Sequence, residues 1–257
     1  MSWASRRRSA YAGGVILFFA VVVGFPVAYW YFSIPETCTD GKQNQGETGI
    51  DTGGPCLLLD TQSLSPSSIL WARSFRVRDG SYNSVAYIQN PNEGAGVVRA
   101  PYRFGFYDDR NVLVAEKKGT TFLMPGAVTP VFSGAIETGN RIVSRTYLEF
   151  TEPLRWERLV DVSRVVKVSD INTTEQDGLP RVTATALNSS VGIVRDITFI
   201  ISVFDPAGNA FTASQTAIPQ LAPGEKRQII FTWPEAFRIT VGRIDIIPIV
   251  RPEPVQL

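Results

Sequence analysis

Residues Ala12 to Ile34 (AGGVILFFAVVVGFPVAYWYFSI) contain no charged side chain. An α-helix of that length spans about 34 Å, enough to cross about 30 Å of hydrocarbon. Arg6, Arg7 and Arg8 precede the stretch, and Glu36, Asp40, Glu47 and Asp51 follow it. The positive-inside rule therefore puts the N-terminus in the cytoplasm and everything after Ile34 outside. Tyr29, Trp30, Tyr31 and Phe32 form an aromatic cluster at the outer end, where amphipathic rings settle among headgroups, and Pro26 is placed to kink the helix. A cleaved signal peptide would have a shorter apolar core ending at a small-residue site. This segment is longer and ends in bulky rings, and Pro35, Glu36 and Thr37 lack the small apolar pattern of a lipoprotein cleavage site. The expected organisation is a cytoplasmic tail over 1–11, one transmembrane helix over 12–34 in the lipid bilayer of the cell membrane, and an extracytoplasmic remainder.

The chain has two cysteines, Cys38 and Cys56, both on the outer side of the expected membrane span. An oxidising compartment favours a disulfide between them. In the loop-entropy model that bridge restricts the unfolded chain by about 3 kcal/mol and makes a clipped stalk, over 35–67, from a glycine-rich linker. Asp40, Asn44, Glu47 and Asp51 lie inside the loop and invite a calcium reading, because hard cations collect several oxygen ligands from a tight turn. Their spacing does not match an EF-hand loop, and acidic and amide side chains also cap turns and keep a stalk soluble. The capping reading carries more weight, and no metal is assigned.

Beyond the stalk the sequence reads as all-β. Aromatic residues are frequent (15 Phe, 8 Tyr and 5 Trp) and accompany abundant Val, Ile and Thr, the residues that suit half-buried pleated strands. Gly and Pro are spread along the chain, as short strands separated by turns require. A repeat divides this region. N90-P-N, F106-Y-D-D, L123-M-P-G and V131-F in the first half answer to N188-S-S, V203-F-D-P, L221-A-P-G and I230-F in the second, about 98 residues further on. Runs such as S84-V-A-Y-I-Q and R181-V-T-A-T-A-L alternate apolar and polar residues and end at a turn-forming Asn. Y102-R-F-G-F-Y and I197-T-F-I-I-S-V-F are more apolar, as strands facing a sandwich core are. The expected fold is two tandem immunoglobulin-like β-sandwiches, over 68–159 and 160–257, behind one N-terminal transmembrane helix.

The cysteine segment resembles a motif of extracytoplasmic bacterial proteins with the form CxDGxxNxxExGxDCGGPCxxC. Asp40, Gly41, Asn44, Glu47, Gly49, Asp51, Gly53, Gly54, Pro55 and Cys56 fit it, while Thr52 and Leu59 stand where the resemblance calls for cysteine. Losing those two together leaves one complete pair. A strand ending in Phe-Tyr-Asp or Phe-Asp, followed by a Leu-x-Pro-Gly turn and another strand, resembles the FxLYD-type immunoglobulin-like sandwich. The whole arrangement, including F231-T-W-P-E-A-F, is similar to single-pass envelope proteins of reduced-genome (candidate phyla) bacteria. The resemblance implies a fold and a location, and it brings no activity with it.

Charge and composition narrow the function. With 25 basic and 24 acidic residues, formal net charge is +1, so there is no electrostatic case for nucleic acid. Histidine is absent from the chain, which removes the commonest general base and metal ligand and every Ser-His or Cys-His nucleophile pair. Asp108-Asp109 is the one obvious carboxylate pair, and a turn accounts for both acids. There is no glycine-rich phosphate loop. No catalytic residue and no cofactor is assigned. The expected role is a membrane-anchored scaffold or adaptor in the cell envelope that meets a protein partner through its sandwiches. A ligand-binding or sensing ectodomain is the alternative.

Overall fold

An unbroken run of apolar side chains makes the first element a helix, and one proline shapes its middle. The computed structural model describes residues 3–32, 38–44 and 46–255. Helix α1 (Trp3–Phe19) runs into a wider π-helical segment (Ala20–Gly24) and then α2 (Phe25–Phe32). Pro26 supplies no amide hydrogen, and its ring would collide with the carbonyl four residues back, so the backbone ahead of it opens by one residue per turn. The span Tyr11–Trp30 has a mean hydropathy of 2.2 and no buried residue, so it is long and apolar enough to cross a membrane and is not a core helix. Of the expected transmembrane stretch 12–34, Ser33 and Ile34 lie outside the described residues. Arg6, Arg7 and Arg8 fall within α1.

The chain divides into two compact units, Met1–Cys56 and Leu57–Leu257. Among the described residues, the second holds fourteen strands. In its first half these are β1 (Ser68–Arg78), β2 (Ser81–Gln89), β3 (Ala95–Tyr107), β4 (Leu113–Leu123), β5 (Val128–Glu137), β6 (Arg145–Phe150) and β7 (Glu157–Val160). In its second half they are β8 (Val166–Gln176), β9 (Leu179–Asn188), β10 (Val194–Phe204), β11 (Ala210–Leu221), β12 (Lys226–Thr232), β13 (Arg243–Ile249) and β14 (Glu253–Pro254). All named pairings are antiparallel. Sheet β1-β2-β5 opposes β4-β3-β6 in the first sandwich, and β8-β9-β12 opposes β11-β10-β13 in the second, so both have one topology.

Two local devices recur in both sandwiches. Asn90 and Asn188, at or just past the ends of β2 and β9, are almost fully buried. Each amide donates to a carbonyl across the sandwich, Met124 O at 2.9 Å and Leu221 O at 3.0 Å, and each Oδ1 accepts from the amide two residues on. Gly126 and Gly224 then turn the chain at φ +56° and +69°, in the left-handed region that glycine enters without strain. Their amides donate to Asn92 O and Asn188 O. The strand registers follow, and with them two cores. One is built on Phe104, Phe106, Leu123 and Trp156, the other on Phe199, Ile201, Phe231 and Trp233.

The chain crosses between sandwiches without a free joint. Strand β7 pairs with the start of β3 on one side and with β14 on the other, so the last described strand returns to the first sandwich's sheet. Leu59 N and Arg158 N exchange bonds with Trp156 O and Leu57 O, docking the entry segment on the same strand. Asp161 caps a short turn (Val162–Val165), and Arg164 reaches Pro125 O at 3.1 Å.

A third apolar cluster holds the two sandwiches face to face. Phe75, Val85 and Tyr87 from β1 and β2 pack on Ile200, Phe204, Ala210 and Ala213 from β10 and β11. Trp71 stacks on Tyr87 with centroids 4.4 Å apart and meets Phe204 edge-on, and the Arg243 guanidinium lies over the Phe204 ring, 4.3 Å from its centroid. Burying each large side chain here contributes about 1.5–3 kcal/mol. Strand registers explain why the stacking goes no further. The row Trp71, Tyr87, Pro130 in the first sandwich corresponds to Ser169, Thr185, Gln228 in the second. The row Gln215, Ile200, Ile247 corresponds to Lys118, Arg103, Glu149. One outer face is therefore rich in hydroxyls, and the other carries Arg103 paired with Glu116 and Glu149.

Three substitutions test this packing. Ile200→Arg, which puts the first sandwich's residue type into the shared core, should cost several kcal/mol and lower the melting temperature, because it buries an unpaired charge. Thr185→Val on the open face should change stability by less than about 0.5 kcal/mol. The third concerns Tyr87, whose phenol is pushed up to about 12 mainly by burial. Its raised value means stability is full below pH about 10, the phenol's ordinary value, and is lost as pH rises through about 12. Neither Tyr87 Oη nor Ser202 Oγ, both buried, makes a hydrogen bond of good geometry. Tyr87→Phe should therefore leave neutral stability equal or higher and flatten the alkaline loss; a clear drop at neutral pH would contradict the assignment.

Candidate functional site

Glycine-rich sequence around Cys38 and Cys56 folds as a set of turns whose acidic side chains accept bonds from backbone amides. The two cysteines are bonded, with Cα atoms 5.5 Å apart. Asp51 accepts from the amides of Asp40 (3.0 Å) and Gly41 (3.1 Å). Asp40 accepts from Lys42 N (2.8 Å) and from Asn44 Nδ2 (2.9 Å), and Glu47 accepts from Asn44 N (3.1 Å). The structure thus brings Asp40, Asn44, Glu47 and Asp51 into one hydrogen-bonded network, in which carboxylate oxygens cap backbone amides. Among the described residues, one group of three ligand-bearing side chains has its atoms within 4.8 Å of one another: Cys38, Glu47 and Cys56. The disulfide consumes both sulfurs, so this group offers no thiolate to a metal.

Asp108 sits at the β3–β4 turn, where it accepts from Val112 N (2.8 Å), Arg110 N (3.0 Å) and Arg141 Nη2 (3.0 Å). The backbone bond from Val112 is the largest cause holding its carboxyl below the usual range. Asp205 occupies the matching turn, lowered chiefly by the amide of Asn209 at 2.7 Å. Carboxylates held ionised as turn acceptors lack the near-neutral pKa that proton transfer favours. Trp156 and Trp233 are both 7% exposed and belong to the two sandwich cores.

The concave feature richest in chemistry lies where the β1–β2 turn of the first sandwich meets the β12–β13 connection of the second. This cleft has a volume of about 300 Å³. Its base is aromatic: Phe237 meets Phe211 and Trp233 edge-on, with centroids 5.5 and 5.0 Å apart. Its rim carries two local ion pairs, Arg76 with Asp79 and Arg238 with Glu235 at 3.8 Å. Each cation has an acid beside it, so the cleft is polar at its edge and close to neutral overall. Such a surface suits contact with an amphipathic protein segment more than capture of an ion. The phrase F231-T-W-P-E-A-F marks one wall in the sequence, but nothing in the sequence pairs it with Arg76 and Asp79, which lie far away along the chain.

No family model matches this chain, and no curated protein matches it. Among solved structures, the crystal structure of red sea bream transglutaminase is similar at 10% identity, covering 70% of this chain and 29% of that one, with a TM-score of 0.22. The chain therefore spans under a third of that protein's length, and a likeness at this level says nothing of activity here.

Glu47, only 8% exposed, has Oε1 at 3.1 Å from Cys56 Sγ. A carboxylate so placed repels an incoming thiolate. Glu47→Gln should speed reduction of the Cys38–Cys56 bond by dithiothreitol about tenfold, read by alkylation and mass shift; an unchanged rate would leave Glu47 as a capping residue alone.

Proposed function

We propose that this chain is a membrane-anchored, extracytoplasmic scaffold or adaptor of the cell envelope that presents its paired sandwiches to a protein partner and performs no catalysis. One observation carries the reading. The two sandwiches share a buried core, so the surfaces around their joint, including the aromatic cleft, hold a fixed geometry suited to recognition. The N-terminal helix would anchor this body in the bilayer with Arg6, Arg7 and Arg8 on the cytoplasmic side, and the bridged loop would follow it as a stalk. The placement draws also on the resemblance, read from the sequence, to single-pass envelope proteins of reduced-genome bacteria. The alternative, a ligand-binding or sensing ectodomain, draws on the same cleft, since pockets of a few hundred Å³ at domain joints also take small molecules.

Chemical crosslinking in native membranes tests the proposal. A discrete heteromeric adduct is expected, and it should be lost from the variant Arg238→Glu with Ile239→Asp, two exposed substitutions at the cleft rim. Recovery of monomer alone under several crosslinking chemistries would end the adaptor reading. A thermal-shift screen separates the alternative, because a specific small ligand raises the melting temperature of the native state.

A further inference from the structure

A second hollow, of about 400 Å³, opens along the joint between the sandwiches. Its lining is mixed: Phe122, Pro130 and Phe132 from the first sandwich and Ile200 and Ile249 from the second are apolar, while Tyr102, Thr120, Thr121, Thr198 and Gln215 add polar groups. The other lining groups are neutral, apart from one. Arg251, just past β13, is exposed and is the single charged side chain of the lining. Its Nη2 donates to Val98 O at 3.4 Å, and no carboxylate among the described residues pairs with it. The aromatic cleft differs in this respect, since its cations have acids beside them.

A guanidinium with no carboxylate beside it, at the mouth of a hollow that is apolar in part, selects a ligand with two properties. The planar fork of donors matches a carboxylate. The aromatic and aliphatic side chains of the lining match a short hydrocarbon body, and its threonines and Gln215 leave room for a polar head. We propose that this hollow binds a small amphipathic anion, an apolar chain bearing one carboxylate, with its head on Arg251 and its chain against Phe122, Phe132 and Ile249. This site is separate from the aromatic cleft and stands whether or not a protein partner binds there.

Full-length protein in lipid nanodiscs, dialysed to equilibrium against labelled octanoate, tests it, with empty discs as background. Saturable uptake above background is expected. Arg251→Gln keeps a donor for Val98 O but removes the charge, and should weaken octanoate binding about tenfold while the melting temperature holds. Arg251→Glu should shift preference from octanoate to octylammonium. Uptake no greater than empty discs, octan-1-ol binding as tightly as octanoate, or unchanged octanoate binding in Arg251→Gln would each overturn the proposal. A fallen melting temperature with retained binding would do the same, assigning Arg251 to holding the sandwiches together.

Discussion

The packing of sheet β1-β2-β5 on sheet β11-β10-β13 is the contact on which the rest of the outer unit depends. Each of these sheets already buries one face in its own sandwich. The second face of each would be an exposed apolar patch of Trp71, Phe75, Tyr87, Ile200 and Phe204 if the two halves separated. Joining them removes that patch from water and turns two modest cores into one body. Both hollows described above are lined by residues of both sandwiches.

The contact is also directional. It joins one type of sheet in the first sandwich to the other type in the second, an arrangement that could continue with further copies. Side-chain chemistry stops it at two. The face that would accept a third sandwich carries Ser169, Thr183 and Thr185 where the joined face has Trp71, Val85 and Tyr87. At the other end, Arg103, Glu116 and Glu149 form ion pairs where Ile200 and its neighbours would otherwise invite a partner. Such polar outer faces are what terminal units of stacked architectures need to stay soluble. The same two devices that build each sandwich, the buried asparagine and the glycine turn, are kept in both halves, because they serve each fold internally. Only the outward faces diverge.

At the other end of the chain, the apolar helix and the bridged loop are settled by local chemistry. The π-helical widening follows from Pro26, and the turn network follows from Asp40, Glu47 and Asp51 capping amides within one short loop. These features need no distant partner to form. They are consistent with an anchor and a stalk, and the functional proposal rests on them together with the rigid pair of sandwiches.

Much of this was legible in the sequence. The uncharged stretch announced a helix fit to cross a bilayer, and alternating apolar residues ending at Asn90 and Asn188 announced strands and their inward faces. Two cysteines announced one bridge. These are local properties, fixed by side-chain period, turn chemistry and a count of thiols. What the sequence could not reveal was which outward residues become inward a second time. Trp71, Tyr87 and Phe204 alternate with core residues along their strands, and nothing local marks this second face as buried. Only the docking of one sheet on another makes them a core, and brings Arg76 to the loop of Trp233 and Arg251 to the wall of Phe132. That docking joins segments more than a hundred residues apart, and its register depends on shape across two whole surfaces, which no local pattern encodes.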